Sequence, residues 1–201
     1  MLPIKKTFFV SLWLMAVTGI PRGFAADFNV GNNGFSDYVI NGVNDPMLTL
    51  VRGRTYTFAI ATPNHPFWIK TNAVTGTGAG YFNGVTNNGT NGGTLTFAVP
   101  ANAPNSLVYI CSLHAAMTGT LNITNPPPAP AVLSNARQPA PGQLSFDVTG
   151  TIGRTHVVEA AANPATGWVP IGTNPPSNAS FTFTDTNAGT NSPRYYRVLT
   201  R

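Results

Sequence analysis

The sequence predicts an all-β chain built from two β-sandwiches in series. Apolar residues alternate with polar ones in many short runs, and Asn-Gly and Gly-rich turn formers separate those runs. One Pro-rich stretch then divides them into a longer and a shorter set, while no apolar pattern of helical period intervenes.

The N-terminal residues 1–25 read as a secretory signal. Lys5 and Lys6 precede an apolar run from Phe8 to Ile20, and the small residues Gly23, Ala25 and Ala26 follow, which predicts cleavage after Ala25. The apolar run is short for a bilayer span, and the single cysteine, Cys111, is far from any lipidation point. The expectation is therefore a periplasmic or secreted protein with no membrane span once the leader is removed.

Charge argues against nucleic acid as a partner. Without Lys5, Lys6 and Arg22, 8 basic residues face 6 acidic ones, and between Asp27 and Asn125 the tally of Arg52, Arg54 and Lys70 against Asp27, Asp37 and Asp45 is neutral. No basic stripe is present to follow a phosphate backbone. Charged residues make up 8% of the chain, so Asn, Thr, Ser and Gly must supply the polar surface, which suits strands and turns.

The first sandwich is placed at residues 26–125. Its strands are marked by Leu48 and Leu50; Tyr56, Phe58 and Ile60; Leu95, Phe97 and Val99; Leu107, Tyr109 and Cys111; and Leu121 and Ile123, each set at a period of two. Turns at Asn32-Asn33-Gly34, Asn41-Gly42, Arg52-Gly53, Asn87-Asn88-Gly89 and Asn91-Gly92-Gly93 separate them. Pro126-Pro127-Pro128-Ala129-Pro130 cannot join a ladder and marks a semi-rigid linker over 126–131. Alternation resumes at Leu144 and Phe146, Val157-Val158, Trp168 to Ile171, Phe181 and Phe183, and Tyr195 to Leu199, giving a smaller sandwich at 132–201.

Chemistry concentrates in Tyr109-Ile110-Cys111-Ser112-Leu113-His114-Ala115-Ala116-Met117. Cysteine, histidine and methionine stand there at three-residue intervals, just after a strand, and His65 lies upstream in Pro63-Asn64-His65-Pro66-Phe67. A lone cysteine in an oxidising compartment is left as a free thiol, an intermolecular bridge or a metal ligand. Two imidazoles, a thiolate and a thioether form a soft donor set that suits copper in both oxidation states, whereas zinc more often recruits further cysteines or histidines. His156 has no comparable company and is expected on the surface of the second sandwich.

These residues resemble the cupredoxins, with a short, amicyanin- or plastocyanin-like Cys-x-x-His-x-x-Met ligand loop. The likeness spans residues 27–124 and includes Pro46-Met47-Leu48-Thr49-Leu50-Val51-Arg52-Gly53-Arg54-Thr55-Tyr56-Thr57-Phe58 ahead of the upstream histidine. The resemblance implies a Greek-key sandwich with one type 1 copper held by His65, Cys111 and His114 and, axially, by Met117. It further implies that Ser112 donates its N–H to the cysteine sulfur, and that Leu113, Ala115, Ala116 and Pro66 ring the His114 edge as a docking patch for a redox partner protein. In many family members an asparagine follows the upstream histidine and braces the ligand loop; Pro66 stands there, so the brace must come from another group.

In the second sandwich His156-Val157-Val158-Glu159-Ala160, Gly167-Trp168-Val169-Pro170-Ile171 and Arg194-Tyr195-Tyr196-Arg197-Val198-Leu199 resemble fibronectin-type-III-like or immunoglobulin-like bacterial modules, which implies binding of a surface or protein partner, or spacing. Trp168, Tyr195 and Tyr196 are expected as core aromatics, with a ligand-binding platform as the other reading.

The function implied is electron transfer by an exported copper protein without enzymatic turnover. Three histidines are too few for a multi-copper catalytic centre, and no Ser-His-acid set or paired carboxylates are visible. The alternative is non-redox copper storage or delivery, or extracellular binding and adhesion. The scarcity of methionine- and histidine-rich tracts, with 4 Met and 3 His, disfavours storage.

Overall fold

The computed structural model describes residues 25–190 and 193–201, so the expected leader lies outside the described residues except for Ala25. Regular structure there is strand apart from one 3-10 turn at Ala188–Thr190, and the all-β expectation holds. No helix among the described residues is long and apolar enough to cross a membrane.

Ten strands form two facing sheets. In one, β1 (Phe28–Asn33), β2 (Asp37–Ile40), β3 (Val43–Asn44), β5 (Thr55–Ala61), β7 (Val85–Thr86) and β8 (Gly92–Ala98) run in the order β3-β2-β1-β5-β8-β7. In the other, β4 (Leu48–Val51), β6 (Phe67–Lys70), β9 (Ser106–Cys111) and β10 (Thr118–Thr124) run β4-β10-β9-β6. The β1·β5 and β4·β10 pairs are parallel and the others antiparallel, so the chain crosses between sheets as in a Greek-key sandwich.

The period of two determines which face is buried. In β5, Tyr56, Phe58 and Ile60 point inward, and in β8, Leu95 and Phe97 meet them, while Leu50, Leu107, Leu121 and Ile123 come from the opposite sheet. Tyr38, Phe67 and Tyr109 link the sheets as stacked and edge-on rings, with Phe67 centroids 5.0 Å from Tyr38 and 5.3 Å from Tyr109. The two-residue turn Asn41-Gly42, with φ of 49° and 87°, joins β2 to β3 in the left-handed conformation that such hairpins require.

The outer side of β6 is also covered. Residues 71–91 fold over it: the Asn88 carboxamide accepts the Ile69 N–H at 2.8 Å and donates to the Ile69 and Tyr81 carbonyls, and Gly89 lies against the Trp68 indole with no room for a Cβ. Lys70 is thereby fully buried.

Six strands follow the Pro-rich segment. β11 (Val132–Arg137), β12 (Leu144–Thr149) and β15 (Ser180–Asp185) form one sheet, and β14 (Val169–Asn174), β13 (His156–Ala161) and β16 (Tyr195–Thr200) the other, around Phe146, Val148 and Val158. All six residues of β13 are buried. His156 is therefore not a surface residue: it shares the inward phase of Val158, and its Nε2 accepts the Thr151 N–H at 3.0 Å. Tyr196 packs on this core, but Tyr195 is exposed and Trp168 is half-buried beneath the Arg197 guanidinium, 4.4 Å from the ring centroid, which corrects the core expectation for those two.

The Pro-rich segment is fastened along its length. Arg52, buried at the end of β4, donates to Asn125 Oδ1 at 2.7 Å, to Asn105 and to the Ala103 carbonyl, while Asn125 in turn donates to the Gly153 carbonyl. Arg154 donates to the Pro126 carbonyl, and Ala129 bonds Thr151 and Thr200.

Candidate metal centre

Each candidate ligand is positioned by a different piece of backbone. His65 ends a tight turn after β5, in which its N–H donates to the Thr62 carbonyl and the buried Thr62 hydroxyl donates to the His65 carbonyl, both at 2.9 Å. Cys111 is the last residue of β9, opposite Phe67, so the ladder sets the separation of the histidine and cysteine segments. His114 and Met117 close the loop back onto it, with the Met117 N–H donating to the His114 carbonyl and the Cys111 N–H to the Met117 carbonyl.

These constraints bring one donor atom each of His65, Cys111 and His114 within 4.8 Å of one another. The two Nδ1 atoms lie 3.1 Å apart, and Cys111 Sγ lies 3.6 Å from His114 Nδ1. The set fits a metal ion. With usual ligand lengths of about 2.0–2.1 Å to nitrogen and about 2.3 Å to sulfur, these separations subtend about 100° between the nitrogens and about 110° between sulfur and the His114 nitrogen. Cys111 and Met117 are completely buried, whereas both imidazoles are half-buried, so the cluster sits at the edge of the core with its histidine side toward solvent.

Hydrogen bonds around the cluster depart from one expectation. The Ser112 N–H donates to the Pro66 carbonyl at 3.3 Å, and the Leu113 N–H, at 3.4 Å, is the donor to the Cys111 sulfur. A loop that turns after cysteine directs the amide two residues on, not the next one, at the sulfur.

The same contacts supply the missing brace. Proline has no side-chain donor, but its carbonyl holds Ser112 directly, and the Gly76 N–H takes the Ser112 carbonyl at 2.7 Å. The Tyr38 hydroxyl donates to the His65 and Pro66 carbonyls at 3.1 and 3.0 Å. Burial, with the nearby Cys111 charge second, drives the Tyr38 pKa far above its ordinary value, so this group stays a proton donor.

At the surface, Leu113, Ala115 and Ala116 are exposed as expected, and Pro66 is half-buried. An unanticipated neighbour joins them: Phe35, 72% exposed in the turn between β1 and β2, places its ring 6.0 Å from that of His114. Nothing in the local sequence marks Phe35, since it lies far from the ligand loop in the chain and its partner is visible only in the fold.

No protein-family model matches the chain, and no curated protein matches it either. Among solved structures, a methionine-to-glutamine mutant of rusticyanin aligns at 14% identity over 48% of this chain and 76% of that one, with a TM-score of 0.36. Bovine butyrophilin aligns at 9% identity over 87% of this chain and 86% of that one, with a TM-score of 0.27. The all-β architecture and the His65–Cys111–His114 cluster, a group able to hold a metal ion, stand on the geometry described above.

Proposed function

We propose that the protein is an exported electron carrier of the cupredoxin type, in which His65, Cys111 and His114 would hold one copper ion and Met117 would supply a further, weaker sulfur donor. The observation that carries this reading is the cluster of two imidazole nitrogens and one sulfur, with sides of 3.1 and 3.6 Å and all three atoms within 4.8 Å, closed by the Met117 to His114 and Cys111 to Met117 backbone hydrogen bonds. A copper ion held by these residues would supply a one-electron couple.

The chain's own residues perform the rest. Tyr38, Pro66 and the Phe67–Cys111 ladder tie the ligand segments together through backbone hydrogen bonds. Buried Cys111 and Met117 keep water from the sulfur side, and the Leu113 N–H withdraws charge from the thiolate. His114, half-buried beside Phe35 and Leu113, offers an apolar-rimmed contact point for a redox partner, and weak encounters of this kind need only a small contact.

The test is addition of one equivalent of Cu(II) to the full chain, read by visible absorption and electron paramagnetic resonance beside Cys111→Ser. An intense thiolate-to-copper band with narrow hyperfine splitting, absent from the variant, supports the reading. A protein that binds copper without the band would instead be a storage or delivery protein, and one that binds none an adhesive or structural sandwich.

A further inference from the structure

Lys70 is the last residue of β6, fully buried, and engaged in none of the ion pairs found among the described residues. Its ammonium donates to the Gly76 carbonyl at 2.6 Å and to the Val74 carbonyl at 2.9 Å, and lies 5.5 Å from the centroid of the Trp68 ring. A buried cation without a carboxylate is costly, and an apolar side chain of similar length fills the same space without that cost.

What the cation holds accounts for its presence. Residues 71–80 close on themselves through the Thr71 N–H to the Ala79 carbonyl and the Lys70–Gly80 bridge, and Gly76 at the tip, with a φ of 77°, turns its N–H onto the Ser112 carbonyl. Ser112 links Cys111 to the Leu113 N–H that bonds the sulfur. A path of 2.6 and 2.7 Å hydrogen bonds thus runs from Lys70 Nζ through the backbone of Gly76 to the carbonyl of the Ser112–Leu113 peptide, the peptide whose N–H bonds the Cys111 sulfur.

We propose that Lys70 is a positioning residue of the metal centre: its ammonium clamps the Val74 and Gly76 carbonyls, fixes the Gly76 N–H on Ser112, and places a positive charge at the base of the 71–80 loop that braces the cysteine loop. The inference rests on the copper reading above. Burial lowers the Lys70 pKa and the Cys111 charge acts in the opposite sense, so the two groups share one field. A fixed cation there opposes the oxidised, more positive state of the centre and favours the reduced one.

Lys70→Met keeps the stem and removes the charge and the donors. In the full copper-loaded chain we expect the variant to retain a thiolate-to-copper band but with broadened hyperfine structure, and a reduction potential lower by about 59 mV or more, equivalent to a tenfold loss of preference for Cu(I). A folded variant whose spectrum and potential match the parent overturns the proposal and leaves Lys70 as a structural residue. Should the variant not fold, amide exchange in the parent decides: a Gly76 N–H protected like that of Cys111 supports the clamp, and one exchanging at the rate of free peptide overturns it. A parent that shows no thiolate-to-copper band refutes the copper reading and this inference together, whereas a coloured parent with an unmoved variant refutes this inference alone.

Discussion

Phe35 and His114 meet ring to ring, 6.0 Å between centroids and tilted by 31°, although 79 positions separate them in the chain. With Leu113 at 62% exposure this makes an apolar rim around the imidazole edge. Leu113→Glu and Phe35→Ala should each slow electron exchange with a redox partner several-fold in stopped-flow measurements, with the absorption spectrum intact. If colour and rate fall together, the rim supports the metal site itself rather than docking.

Tyr38→Phe removes the hydroxyl that donates to both the His65 and Pro66 carbonyls. A loss of about 1–2 kcal/mol in chemical denaturation is expected. Because these carbonyls flank the candidate ligand His65, copper added to the variant should dissociate faster than from the parent, measured by competition with a chelator.

Gly119 faces Tyr109 across the β9·β10 ladder, and the phenol occupies the space of its absent Cβ. Gly119→Ala must displace the ring and its 2.7 Å hydrogen bond to the Pro46 carbonyl. The expected cost is about 1–3 kcal/mol by denaturant titration, and an unchanged midpoint would mean that the ring moves freely.

His156 makes stability depend on pH. Its Nε2 accepts a backbone N–H, its Nδ1 has no partner among the described residues, and burial lowers its pKa. The unfolded chain therefore takes up the proton first: stability is full above the ordinary histidine pKa of about 6.5 and is lost as pH falls from there toward the lower folded value. Melting of the second sandwich should drop between neutral and mildly acidic pH, and His156→Leu should flatten that dependence.

Arg52 joins β4, the 103–105 turn and Asn125 in one buried hydrogen-bonded cluster. Arg52→Met leaves those acceptors unpaired at about 2–3 kcal/mol. Calorimetry should then show the first sandwich melting at a lower temperature than in the parent chain.

The strands were legible because burial alternates along β5, β8 and β10 at the period visible in the sequence, and the ligand loop because its donors lie within seven residues. His65 was found by donor chemistry and family likeness, not by local pattern. His156 shares a phase with Val158, a signal that points inward, and the lack of other donor residues around it says nothing about burial. Phe35, the Leu113 amide and Lys70 depend on how distant turns are folded against the loop, information held in pairings such as Gly76 with Ser112 that no spacing rule encodes.

Strand β10 begins at Thr118, beside the ligand loop, and ends at Thr124, one residue before Asn125 and its bond to Gly153. Six rises of about 3.3 Å set the two ends of its seven residues about 20 Å apart. The second sandwich is thus fastened at the pole away from His114. Under the proposed electron-transfer reading, a surface gripped by that module would leave the imidazole edge at a stand-off, free to meet a redox partner.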